Sequence, residues 1–188
     1  MDPILILIII NSIVYVLPYI IPFGGMYDSF TNFQLLGIMN KSDVRDGEWY
    51  RLFTSNFLHA DVFHIFVNMY SLYTVGPSVL NIFKPAGFAI IYILSGIVGS
   101  FFSFLFNSGL SRGSLGASGA IMGLLGALFA YTILIPGNSA AFNMILVNVA
   151  VIALYGFLIP QIDNWGHLGG FLCGLVVGAG LLYLRGVA

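Results

Sequence analysis

Residues 116–135 read GASGAIMGLLGALFAYTILI, an uncharged run with a serine, Ser118, near its start. It reaches the ~20 residues that a helix needs to cross a bilayer. Five further apolar stretches of similar length lie near Ile4 to Pro22, Phe63 to Phe83, Gly87 to Phe106, Ala140 to Ile159 and Gly166 to Leu184. Of the 188 residues, 59% are hydrophobic and 7% charged, and the mean hydropathy is +0.99. An average soluble domain carries roughly 25% charged residues. This pattern predicts an all-α membrane protein, one compact domain over residues 1–188 with six transmembrane helices. The first stretch has no basic flank and no small-residue cleavage site, so it reads as a helix and not as a signal peptide.

Composition also removes whole classes of function. A net charge of −1 with six Lys plus Arg offers nothing to neutralise a run of phosphates, which excludes nucleic acid as a partner. Cys173 is the single cysteine, so no intrachain disulfide forms. The three histidines have no Cys or Glu ligand beside them and no His-Glu-x-x-His pattern, so neither a metal nor another cofactor is expected. Asp28 to Asp61 holds eight of the thirteen charged residues, which makes the long first loop the one large polar region. The other loops, NIFKPAG, NSGLSRGS, IPGNS and PQIDNW, are short and marked by Pro, Gly, Asn or Ser. With six spans, Lys84 and Arg185 fall on one side and Lys41, Arg45, Arg51 and Arg112 on the other. A plain charge count therefore puts the first loop in the cytoplasm.

Polar groups at membrane depth are costly, and each is a functional candidate for that reason. Four stand out: His64, Asn68, Ser118 and His167. His64 and Asn68 lie four apart and share a helical face. Ser118 opens the fourth span and His167 the sixth, so all four groups lie at similar depth, at the end of the bundle covered by the first loop. Gly166, Gly170, Gly174 and Gly178 recur every four residues on the sixth span, and Gly119, Gly123 and Gly126 supply small residues on the fourth. Such stripes let membrane helices approach backbone to backbone, and packing them together aims His167 at Ser118.

A serine hydroxyl becomes a nucleophile when a base takes its proton, and histidine is the usual base. Acyl transfer also needs donors for the developing oxyanion. Asn68, His64 and the Ser118 backbone N–H at a helix start are candidates. Each has a plainer reading: Ser118 as a packing residue, His167 as an interfacial histidine, His64 and Asn68 as polar glue between helices. Asp163, four residues before His167, either contacts the base or caps a turn.

GASG at 116–119, HADVFHIFVN at 59–68 and NWGHLGGFLCG at 164–174 resemble the three signatures of the rhomboid intramembrane serine proteases: Gly-x-Ser-Gly, His-x4-His-x3-Asn and His-x2-Gly-x3-Gly. Together with EWYRLFTSNFLH before them, the resemblance extends over all six predicted helices. It implies a rhomboid-like six-helix bundle with Ser118 as nucleophile and His167 as general base, a dyad without a catalytic aspartate. His64, Asn68 and the Ser118 N–H would form the oxyanion hole. Arg51 matches the family's Trp-Arg motif, with Tyr50 in place of the tryptophan. Met122 stands where some members carry an aromatic against the histidine. His59, Arg51, Gly116, Gly119, Gly170 and Gly174 are expected to be structural, Arg51 by anchoring the loop through carbonyls or lipid head groups. The resemblance further implies single-pass transmembrane substrates cut in or near the membrane on the extracytoplasmic side, against the charge count, and a multi-pass protein of the plasma membrane. Two rival classes stand beside it. One is a catalytically inactive rhomboid-like protein that binds membrane clients. The other is a small transporter, which would place polar groups at mid-membrane in two similar halves.

Overall fold

The computed structural model describes residues 2–20, 29–107, 113–135, 137, 142–143, 145–150, 152 and 162–186. Four long helices dominate: α1 (Pro3–Ile20), α5 (Val62–Phe106), α6 (Ser118–Leu134) and α7 (Asn164–Leu184). Between α1 and α5 the first loop is wound into α2 (Ser29–Leu35), α3 (Lys41–Arg45), α4 (Arg51–Thr54) and a 3₁₀ turn at Ser55–Phe57. Among the described residues, β pairing is confined to one antiparallel bridge between Met39 and Ser114. Residues 142–143, 145–150 and 152 are also helical. The remainder of the fifth expected span, Ala140 to Ile159, and Arg112 in the loop before α6 lie outside the described residues.

Helix α6 is apolar on every side, and a helix of that kind belongs inside other helices. Every residue from Gly119 to Leu128 is buried. Its 17 residues reach only about 25 Å at 1.5 Å per residue, short of the ~30 Å hydrocarbon core, so it is suited to the centre of a bundle. Around it, Leu72, Val79, Phe88, Ile91 and Leu182 form one continuous core with its own Leu124 and Leu125. The outward faces are apolar as well: Ile13, Phe66, Tyr73 and Val176 all stand exposed. An apolar surface of this extent fits acyl chains better than water.

The sequence predicts a loop, NIFKPAG, between the second and third spans. The helical path instead continues through it, interrupted at one residue, Lys84, with φ 63° and ψ 170°. Pro85 disfavours helical geometry in the residue before it and has no N–H to donate. The carbonyls released by the break are recaptured. Arg185 at the end of α7 donates to the Ile82 and Phe83 oxygens at 2.9 and 2.5 Å, and Lys84 Nζ donates to the Asn81 oxygen at 2.9 Å. The two cations assigned to one side of the bundle, Lys84 and Arg185, thus bind carbonyls at the end of the bundle opposite Ser118.

The first loop is likewise organised by a cation. Arg51 is buried and donates through Nη1 to the Gln34 and Ile38 carbonyls at 2.8 and 3.0 Å. Its Nε meets Glu48 at 2.5 Å and Asp43 at 3.4 Å. Tyr50 lies with its ring 5.5 Å from the guanidinium and donates its hydroxyl to Glu48 at 2.8 Å. These hydrogen bonds from Tyr50 and then Arg51 hold the Glu48 carboxyl below its usual range. Of the two anchoring modes expected for Arg51, its bonds are to carbonyls and carboxylates of the loop.

Candidate active site

Ser118 is the first residue of α6, so its backbone N–H has no acceptor within the helix. The chain reaches it through Gly116, whose φ of +119° is a conformation that L side chains rarely adopt. A side chain there would also strike the imidazole of His64, its Cβ falling 2.7 Å from Nε2. Gly116 N–H donates to the Ser55 carbonyl at 2.9 Å, and the Met39–Ser114 bridge ties the same segment to the first loop.

His167 sits in the first turn of α7. The glycine stripe beneath it meets the stripe of α6: a Cβ on Gly170 would lie 2.8 Å from the Gly119 carbonyl carbon, and one on Gly178 2.8 Å from the Ala127 Cα. Only glycine allows this approach, and it brings His167 Nε2 to 2.9 Å from Ser118 Oγ. Both side chains are half-buried. The other ring nitrogen, Nδ1, is buried and has no hydrogen-bond partner among the described residues. Among the described residues no carboxylate is hydrogen-bonded to the imidazole. Asp163 has the capping role: it is the N-cap of α7 and accepts from the Gly166 N–H at 2.9 Å.

His64 approaches from the first turn of α5, whose start is capped by Asp61 accepting from the His64 N–H at 2.8 Å. The Ala60 N–H points at His64 Nδ1 at 3.4 Å, which makes Nδ1 the acceptor and leaves the proton of the neutral ring on Nε2. That is the nitrogen beside Gly116. Asn68, one turn on and buried, donates one amide hydrogen to the His64 carbonyl at 2.9 Å and keeps a second. His59 is fully buried with its ring edge-on to His64 at 5.1 Å, and neither of its nitrogens has a partner among the described residues. Met122 is buried in the main core.

The arrangement therefore offers a hydroxyl paired with a base, the His64 ring beside Gly116 in the segment that leads to that hydroxyl, and a small cleft lined by Asn56, Ser100, Gly116, Ser118 and His167. Several polar residues of this region escape a reading of the sequence. Ser55 and Ser100 share a buried contact at 3.3 Å, and Asn56 donates to Ser100 at 3.3 Å and to the Leu52 carbonyl at 2.7 Å. Ser114 donates to Asp163. The one available signal was their abundance in otherwise apolar or loop segments, which does not distinguish them from capping residues.

Residues 46–184 match the family model described as the Rhomboid domain. The chain is 36% identical over 149 residues to Rhomboid protease GluP of Bacillus subtilis (strain 168), covering 77% of this chain and 28% of that protein. It is 34% identical over 167 residues to RHOMBOID-like protein 6, mitochondrial, of Arabidopsis thaliana, covering 86% and 52%. With Inactive RHOMBOID-like protein 8 of Arabidopsis thaliana it shares 38% over 144 residues, covering 72% and 39%. The chain thus spans about half or less of the length of these relatives.

Proposed function

The chain belongs to the rhomboid family of integral membrane proteins, and from that premise we propose that it is an intramembrane serine endopeptidase working through Ser118 and His167. The observation that carries the reading is the 2.9 Å contact between His167 Nε2 and Ser118 Oγ, made across a helix interface that only glycines permit. One relative is named inactive, so family membership alone does not decide activity. The paired serine and histidine favour the active reading over a client-binding protein without catalysis.

In this mechanism Ser118 Oγ attacks the scissile carbonyl carbon while its proton passes to His167 Nε2. The carbonyl oxygen becomes an oxyanion, which the Ser118 backbone N–H, His64 Nε2–H and the second Asn68 amide hydrogen stabilise. Collapse of the tetrahedral intermediate expels the amine, which takes the proton from His167 and leaves an acyl-serine. Water activated by the same histidine then releases the acid. The imidazolium forms without a carboxylate behind it, and the packing of α7 against α6 orients the base.

The substrates proposed are single-pass transmembrane proteins. A helix in lipid hides its carbonyls in internal hydrogen bonds, so a cleavable segment must first loosen locally. Six spans, with the Ser118 end of the bundle facing the extracytoplasmic side of the plasma membrane, complete the proposal. The test is labelling of the purified protein by a fluorophosphonate together with cleavage of a model transmembrane substrate. Ser118→Ala and His167→Ala are each expected to abolish cleavage in a folded protein, because loss of either member of such a pair removes most of what the pair supplies. Substantial cleavage by Ser118→Ala would overturn the assignment.

A further inference from the structure

Backbone apposition of α6 and α7 is close along the stripe: a Cβ on Gly170 would lie 2.8 Å from the Gly119 carbonyl carbon, one on Gly174 2.5 Å from that of Gly123, and one on Gly178 2.8 Å from the Ala127 Cα. The first member of the stripe, Gly166, differs: a Cβ there would meet the Asp163 carboxylate and not α6. The segments that lead into the two helices, ending at Ala117 and Asp163, lie beyond that apposition and are joined by side chains.

The carboxylate of Asp163 stands at that level and gathers three elements. Oδ1 accepts from Asn107 Nδ2 at the end of α5, at 2.9 Å, and from the Gly166 N–H of α7, at 2.9 Å. Oδ2 accepts from Ser114 Oγ, in the segment that leads to Ser118, at 2.5 Å. Gly166 has to be glycine for this to occur, since a Cβ there would lie 2.7 Å from Oδ2. Ser114 also exchanges backbone hydrogen bonds with Met39, at 2.8 and 3.2 Å, and the neighbouring Ile38 carbonyl is held by Arg51. A continuous set of bonds thus runs from the Arg51 hub through Ser114 and Asp163 to the turn that carries His167.

We propose that Asp163 is a positioning residue for the Ser118–His167 pair: an acid that acts beside the base and not behind it, clamping the Ser118 segment to the start of α7. The inference rests on the proteolytic reading of Ser118 and His167. An ordinary N-cap would contribute stability only. The clamp instead contributes to the rate, because displacement of the pair by a fraction of an ångström to 1 Å costs about tenfold to a hundredfold.

The experiment compares Asp163→Ala, Asp163→Asn and Ser114→Ala in the purified full chain, by fluorophosphonate labelling rate and by kcat and KM on a transmembrane substrate. Asp163→Ala is expected to slow labelling and lower kcat by about tenfold to a hundredfold with KM nearly unchanged. Asp163→Asn stays within about threefold of the wild type, since its oxygen still accepts from Asn107 and Gly166 while its amide donates to Ser114 Oγ. Ser114→Ala falls between them, and combining it with Asp163→Ala adds no further loss, as expected for two ends of one contact. Amide exchange at Ser114 and Gly166, measured in a Ser118→Ala background, reads the clamp without reference to activity and should speed up in Asp163→Ala but not in Asp163→Asn. A folded Asp163→Ala protein that labels at the wild-type rate overturns the proposal, as does unchanged amide exchange. An Asp163→Asn protein as impaired as Asp163→Ala also overturns it, because charge and not the clamp would then be responsible. A wild-type protein that neither labels nor cleaves removes the catalytic reading itself, and the exchange data separate that failure from failure of the clamp.

Discussion

Replacing Gly174 by valine should disable the reactive pair from about two turns of helix away. A Cβ at that position would lie 2.5 Å from both the carbonyl carbon and the Cα of Gly123, and closer still to its oxygen. Ordinary carbon–carbon contact is about 3.5–4.0 Å, so the backbones must part by about 1 Å before the two γ-methyls are accommodated. Gly170 on one side is packed against the Gly119 carbonyl and Gly178 on the other against the Ala127 Cα, where a Cβ would lie at 2.8 Å, so α7 cannot bow locally and has to shift or turn as a unit. The Ser118–His167 contact of 2.9 Å then stretches past 3.5 Å, beyond which it is no longer a hydrogen bond. We expect a labelling rate about a hundredfold lower in the folded fraction and a stability loss of about 1–3 kcal/mol, the usual cost of overpacking. Gly180→Val is the control. It lies on the same helix, lengthens the same side chain, and meets nothing within 4 Å. Thermal unfolding and fluorophosphonate labelling of both variants in detergent provide the measurement. Wild-type labelling by Gly174→Val would refute the idea that helix spacing sets the position of His167.

Three further outcomes are expected. Asn68→Ala should lower kcat far more than it raises KM, by up to about 2.7–4 kcal/mol, the loss seen when one oxyanion donor is removed; an effect under about threefold in steady-state assays would assign Asn68 to packing. Gly116→Ala should abolish labelling, because of its φ of +119° and the His64 ring at 2.7 Å, whereas Gly119→Ala, with its nearest neighbour at 3.5 Å, should label at close to the wild-type rate; equal losses in both would sink the steric argument. Burial, and secondarily the neighbouring His64, push the His59 imidazole down to about 3 from 6.5, so the folded state keeps it neutral where the unfolded chain would bind a proton. Its contribution is intact above pH 6.5 and is lost as the pH falls toward 3, at a limiting slope of about 1.4 kcal/mol per pH unit. Unfolding measured between pH 7.5 and 4.5 should show that slope in the wild type and a shallower one in His59→Gln; identical slopes would contradict it.

Helix positions were legible in the sequence because apolar length is a strong signal, and the observed bounds of α1, α6 and α7 fall close to the apolar stretches. What periodicity cannot report is how a polar group is spent. Lys84 and Arg185 read as loop cations and are in fact partners of carbonyls released at a helix break. Arg51 reads as an anchor, but its particular acceptors, Gln34 and Ile38, come from a different turn of the loop and depend on tertiary folding. The glycine stripe was visible as a period of four, yet its first member, Gly166, differs from the others: it makes room for the Asp163 carboxylate and not for α6. Ser114 and Asn107 carry no pattern at all, since their meaning arises only once Asp163 stands between them.

The same comparison explains how an apolar bundle can hold a base without a supporting acid. In Ser-His-Asp triads a buried carboxylate fixes the tautomer and orientation of the imidazole. Here the Nδ1 of His167 is buried without a partner among the described residues, so that orienting function comes from elsewhere. Backbone apposition through Gly170, Gly174 and Gly178 holds the helix that bears His167, and van der Waals packing of this kind is cheap in lipid, where a buried ion is not. The acid that could have stood behind the ring, Asp163, is instead placed at the helix start, where Asn107, Ser114 and the Gly166 N–H satisfy its oxygens. A carboxylate in that position is hydrogen-bonded whether or not the histidine is charged, so Asp163 itself is never left as an unpaired ion.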